Sequence, residues 1–193
     1  MVSRIAVIMS LYRNDTIEFV TLAVESILNQ SYTDFDLYIQ YDGPIKDEVD
    51  AYLSHLNDER IHIYKRLENK GLAQSLNDLL KIVKPLEYDY IARMDADDIS
   101  TTDRFEKQIH YLQSHSHIDM VGGAINEIDE NGRNRGKVTS YPCTADECRA
   151  FFAKRNPVAH PTVMFRRSFF DKAGWHYPTD YVRNEDTRLW HEG

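Results

Sequence analysis

Four short strand-like runs, separated by stretches with helical apolar spacing, fill the first half of the chain and leave few folds open to it. Ile5-Ala6-Val7-Ile8-Met9 is continuously apolar, as a strand buried on both faces must be. Phe35 to Tyr41, Ile61 to Tyr64 and Tyr88 to Met94 are three further strands. Between them, Ile17, Val20, Val24, Ile27 and Leu28 share one helical face, Val49 and Leu53 mark a short helix, and Leu72, Leu76, Leu79, Leu80 and Val83 stripe another. Asp15, with Glu18 three residues on, reads as a capping box. This alternation predicts an α/β fold with a twisted, mainly parallel sheet and right-handed crossovers.

After residue 100 the pattern changes. Asp103 is placed to cap a helix carrying Phe105, Ile109 and Leu112, and Met120 to Ile125 reads as a strand whose glycines imply close backbone approach. Asn131-Gly132 is a hairpin signal. Thr144 to Phe152 reads as a helix and Thr162 to Phe165 as a strand. With no repeat and no linker, the two halves are expected to share one sheet.

Composition excludes several classes. The 193 residues fit one domain. A net charge of -8 and the lack of a basic stripe argue against nucleic acid. The two cysteines, Cys143 and Cys148, form no disulfide framework and point to a reducing, cytoplasmic setting. No apolar run has membrane-spanning length, so any membrane attachment, at the inner face, is expected to be peripheral.

The chemistry concentrates at strand exits. Asp95-Ala96-Asp97-Asp98 follows the fourth strand, and three carboxylates so close repel one another unless a cation joins them. Mg²⁺ and Mn²⁺ take oxygen ligands and share them with phosphates. Ser10-Leu11-Tyr12 and Asp42 lie at the exits of the first two strands, on the same sheet edge, where open α/β sheets bind ligands. A tyrosine ring can stack on a base, and a carboxylate can accept from a base N–H or a ribose hydroxyl. Without a glycine-rich phosphate loop, the metal must neutralise most of a diphosphate. Each residue also has a plainer reading: a solvated acidic turn for 95–98, packing for Tyr12, a local turn for Asp42. Asn184-Glu185-Asp186 opens a helix, so Asp186 is either a cap or a general base. His160, before a strand, is either structural or a further metal or phosphate contact.

The ordered set Ala6 to Tyr12, Ser26 to Tyr32, Asn69-Lys70-Gly71-Leu72 with Leu76-Asn77, Tyr90 to Asp98, His160 to Arg167 and Glu185-Asp186 with Leu189-Trp190 resembles the inverting glycosyltransferases of family 2, which have the GT-A fold. The resemblance implies one GT-A domain over 1–193, with a nucleotide-sugar-binding half (1–98) and an acceptor-side half (99–193) that is truncated at its C-terminus. It implies that Ser10 and Tyr12 meet uracil, that Asp42 binds uridine, and that Asn69, Lys70, Asp95 and Ala96 line the donor site. Asp95 and Asp97 would form the DXD motif, with Asp95 on the ribose side and Asp97, joined by His160, ligating Mg²⁺ or Mn²⁺. Asp186 matches the catalytic base. Arg93, Asp98 and Gly123 fall near these positions. The strand-two motif departs from the family's usual acidic pair, being Tyr41-Asp42, and no basic residue around Lys70-Gly71 matches one that some members place near the donor phosphates.

The implied activity is transfer of a sugar from a UDP-sugar to a hydroxyl of a glycan or lipid-linked glycan, in surface polysaccharide synthesis, by one inverting displacement. Three rivals remain: a nucleotidyltransferase of similar architecture, a phosphatase built on Asp-x-Asp, and a nucleotide-sugar-binding domain without turnover.

Overall fold

A computed structural model describes residues 3–129, 132–179 and 185–192. Its first half is the expected alternation: β1 (Ile5–Leu11), α1 (Ile17–Leu28), β2 (Phe35–Tyr41), α2 (Asp47–His55), β3 (Ile61–Lys65), α3 (Leu72–Val83) and β4 (Tyr90–Met94). β1 pairs in parallel with both β2 and β4, and β2 pairs in parallel with β3. The β1 residues Ile5 to Met9 are fully buried, because helices cover both faces of the sheet. On one face, Val20, Val24 and Ile27 of α1 pack with Val7, Met9, Leu37 and Ile39. On the other, Leu76, Leu79 and Leu80 of α3 pack with Ala6 and Ile8.

The second half adds α4 (Arg104–Ser114), β5 (Met120–Val121), β6 (Ile125–Ile128), β7 (Asn134–Thr139), α5 (Ala145–Phe151), a single 3₁₀ turn (His160–Thr162), β8 (Met164–Arg166), α6 (Arg167–Ala173) and α7 (Glu185–Glu192). β8 pairs antiparallel with β4 and with β5, giving a six-stranded sheet in the order β3-β2-β1-β4-β8-β5. The two halves therefore share one sheet. β6 and β7 form a separate antiparallel pair flanking Asn131-Gly132, of which Asn131 lies outside the described residues.

Three local readings need correction. Met120 to Ile125 is not one strand: Gly122 and Gly123 interrupt it, and its ends join different sheets. A Cβ on Gly122 would sit 2.3 Å from Val158 Cγ1, so the close approach is real but ends the strand. Thr162 to Phe165 starts as a 3₁₀ turn, and the strand begins at Met164. The cap of α1 is Thr16, and Asp15 instead accepts from the Tyr12 backbone N–H at 2.8 Å. The capping box is found on α5, where Thr144 and Glu147 satisfy each other's backbone N–H groups. Among the described residues, no helix is long and apolar enough to cross a membrane.

Candidate active site

The parallel strands β1, β2 and β4 deliver their carboxyl ends to one edge of the sheet, the crevice where ligands of such sheets bind. At the end of β1, Ser10 is half-buried. Tyr12 follows on a turn closed by its own carbonyl, which accepts from the Asp15 N–H at 3.1 Å. The Tyr12 ring is left 43% exposed, so it is not core material.

Asp42 extends the β2 ladder, its N–H donating to the Leu11 carbonyl at 2.7 Å. Its carboxylate is only 5% exposed and is completely engaged by the loop that follows β3. The backbone N–H groups of Lys70 and Gly71 donate to its two oxygens at 2.7 and 3.0 Å, and Arg66 pairs with it. The Asn69 amide donates to the Asp42 carbonyl at 3.2 Å. Arg66 also reaches Asp78 and Ser75, both at 2.8 Å, tying the loop to α3. Gly43 closes the turn with φ +83°, and a Cβ there would lie 2.8 Å from the Asn69 backbone N. Only glycine meets both demands. The sequence reading grouped Asp42, Asn69 and Lys70, and the structure joins all three; it overlooked Arg66, whose signal was a cation at the exit of the half-buried β3.

Beyond β4, oxygen atoms of Asp95, Asp97 and Asp98 lie within 4.8 Å of one another. Asp97 is exposed, Asp95 and Asp98 are half-buried, and Ala96 is 5% exposed. Asp15 belongs to the same electrostatic neighbourhood. Burial, then the charges of Asp97 and Asp95, pushes its carboxyl up to about 6. Burial, then Asp95 and Asp97, pushes Asp98 up to about 6 as well. This donor set is oxygen-only, crowded and short of counter-charge, which fits a hard divalent cation. Among the described residues, the cation paired inside the cluster is Arg93, which bonds Asp95 from a side chain 2% exposed. Arg93 Nε and Nη1 have no hydrogen-bond partner among the described residues. Behind it, Arg104 donates to the Arg93 and Val163 carbonyls at 2.8 and 3.2 Å, bracing β4 against the chain before β8.

His160 opens the 3₁₀ turn. Its Nε2 lies 3.2 Å from the Tyr177 hydroxyl, and its ring meets Trp190 edge-on at 5.6 Å. Burial, then the Arg93 charge, holds the imidazole well below its usual range, so it is neutral. Tyr177 is fixed in turn by the Asn77 amide, which bonds both its backbone N–H and its carbonyl, at 2.5 and 2.9 Å. The structure thus gathers Asp95, Asp97 and Asp98 in one cluster and His160 in an aromatic one, next to Arg93.

Asp186 sits in the first turn of α7. One carboxylate oxygen accepts from the Thr187 N–H at 2.6 Å, the other from the Asn156 amide at 2.5 Å. Asn184, named with it, lies outside the described residues, as does the Glu185 side chain. Asn156 in turn bonds Trp190, whose ring meets His160, so contacts run from Asp186 to the aromatic cluster.

Comparison with known proteins gives this arrangement a family. Residues 6–174 match the sequence pattern of Glycosyl transferase family 2. The O-antigen biosynthesis glycosyltransferase WbnJ of Escherichia coli is 36% identical over 188 residues, covering 96% of this chain and 70% of WbnJ. The S. aureus TarS 1-349 structure in complex with UDP-GlcNAc superposes with a TM-score of 0.75 at 15% identity, over 98% of this chain and 52% of that one. The mannosyltransferase PcManGT of Pyrobaculum calidifontis, in complex with GDP-Man and Mn²⁺, gives 0.67 at 16% identity, over 96% of this chain and 50% of its own. The chain spans about half the length of those solved structures. The chain therefore belongs to glycosyl transferase family 2, with the GT-A fold.

Proposed function

We propose that the protein transfers a sugar from a UDP-sugar to a hydroxyl of a glycan or lipid-linked glycan, inverting the anomeric centre, in surface polysaccharide synthesis. The observation that carries this is the convergence of the three-carboxylate cluster with the Tyr12 turn and the Asp42 loop on one sheet edge. WbnJ's named role in O-antigen biosynthesis and the UDP-GlcNAc complex of TarS favour the same reading.

In this reading Tyr12 offers its exposed ring to the base, with Ser10 beside it. Asp42, its carboxylate taken up by Lys70, Gly71 and Arg66, serves the uridine by shaping the wall made by Asn69 and Lys70. Asp95 faces the ribose, with Ala96 alongside, and Asp97 is the metal ligand, with His160 as a further candidate. A bound Mg²⁺ or Mn²⁺ would act as a Lewis acid toward the charge on the leaving diphosphate. Asp186 accepts the acceptor hydroxyl's proton as the new oxygen–carbon bond forms, and UDP departs with the electrons of the broken bond. No second nucleophilic carboxylate is needed. A lipid-linked acceptor would be met peripherally.

The test is titration calorimetry of UDP and GDP with and without Mn²⁺, followed by transfer assays. UDP binding that needs Mn²⁺ and exceeds GDP binding is expected. Equal UDP affinity without metal removes the metal's role, and stronger GDP binding reassigns the base.

A further inference from the structure

Asn156 precedes the 3₁₀ turn by four residues, and its amide bonds to three partners. Asn156 Oδ1 accepts from Trp190 Nε1 at 3.0 Å and from the Val158 N–H at 3.2 Å. Both partners can only donate. The amide therefore has one tolerable orientation, since the flipped form would set its own N–H groups against two others. That orientation turns Nδ2 toward Asp186 Oδ2, at 2.5 Å.

Among the described residues, the remaining tie on Asp186 is local. Its Oδ1 takes the N–H and hydroxyl of Thr187, the next residue. A carboxylate held only by its own helix moves with that helix. Asn156 instead links it to the body of the protein, because Trp190 is 7% exposed and packs on Phe165 of β8, ring centroids 5.4 Å apart. An amide is also uncharged, so it orients a carboxylate without the charge compensation of a lysine or arginine.

We infer that Asn156 is a positioning residue, acting through Asp186: pinned by Trp190 and Val158, it fixes the Asp186 carboxylate toward the acceptor hydroxyl. This rests on Asp186 being the base. Misplacing a reacting group by an ångström can cost on the order of 10²-fold.

The experiment compares Asn156→Ala, Asp186→Asn and the double variant in the full-length protein. UDP-glucose, UDP-galactose and UDP-N-acetylglucosamine with Mn²⁺ are the donors, octyl glycosides are the acceptors, and UDP release is the readout. Asn156→Ala should lower kcat by roughly 10- to 100-fold and leave the donor KM within about twofold, as expected for lost orientation rather than lost binding. In the Asp186→Asn background the same change should cost nothing further, because its target is gone. Asn156→Asp keeps the acceptor oxygens for Trp190 and Val158 but removes the donor; it should fold normally and lose at least as much kcat as Ala. Normal kcat in Asn156→Ala beside a dead Asp186→Asn overturns this inference alone. An equal loss in both backgrounds makes Asn156 merely structural and also overturns it. Near-normal transfer by Asp186→Asn instead overturns the assignment of the base.

Discussion

The proposed donor edge and the proposed acceptor side of this molecule are built by different means. At the donor edge, Asp42 and the acidic cluster hang from the ends of β2 and β4, the parallel strands on either side of β1; backbone N–H groups hold Asp42, and the buried Arg93 side chain bonds Asp95. On the acceptor side, Asp186 lies in a helix outside the sheet, oriented by a side chain thirty residues earlier in the chain. The clamp on Asp42 is rigid because main chain makes much of it. The acceptor side depends on side-chain relays, each removable by one substitution. The first should therefore fail through stability and metal, and the second through turnover.

The largest expected effect breaks the acceptor side without touching the donor edge. Asp186→Asn should cut transfer by roughly 10²–10⁴-fold, the usual worth of a general base, and leave UDP affinity unchanged by calorimetry. As a cap alone, Asn would replace Asp with little loss, and transfer near normal would move the base elsewhere.

Asp42→Asn reverses the pattern. The amide would turn an N–H toward Arg66 or the Lys70 and Gly71 N–H groups, leaving Arg66, at 13% exposure, with Asp78 as its remaining carboxylate partner. A loss of about 3 kcal/mol is expected in urea unfolding, from breaking a buried charge-assisted pair. A change below about 1 kcal/mol would show that the loop after β3 holds without this clamp.

Asp97→Asn sharpens the donor side further. It removes the exposed ligand and relieves repulsion, so the fold should be unharmed while Mn²⁺-dependent UDP binding weakens by roughly 10- to 100-fold, typical of a lost metal-site group. Retained metal dependence would pass the role to Asp95 and Asp98.

The same division explains what the sequence disclosed. Strand ends in a parallel sheet follow from hydrophobic runs, so Tyr12, Asp42 and Asp95–Asp98 could be brought together before any coordinates. The shared sheet followed from the lack of a repeat or a linker between the halves. Misreadings arose where tertiary contacts override local pattern. Gly122 ended a strand because Val158 crosses it, and Asp15 gave up a capping role to close the Tyr12 turn. Asn156 and Arg66 carried no periodic signal, because their partners are distant in sequence. Asp186 was readable as a helix start, but its tie to Asn156 was not.

The smallest effect concerns Asp15, the one member of the carboxylate neighbourhood that comes from β1's side. Its folded carboxyl is raised to about 6, first by burial and then by Asp97 and Asp95. A raised acid binds a proton in the folded state that the unfolded chain has released. Between about pH 4 and 6, stability from this group therefore falls as pH rises, and above pH 6 the charged form is a fixed cost. Asp15→Asn keeps the acceptor for the Tyr12 N–H and removes that charge. It should raise metal-free stability at pH 7 by about 1 kcal/mol, discounted for partial exposure, and change little at pH 4, where the folded carboxyl is already neutral. Mn²⁺ offsets the same repulsion, so its stabilising effect should shrink in the variant. A gain of equal size at pH 4 and pH 7 would trace it to packing instead. A loss at pH 7 would mean that the turn, rather than the charge cluster, governs this position, placing Asp15 with the backbone-built edge and outside the metal's electrostatic reach.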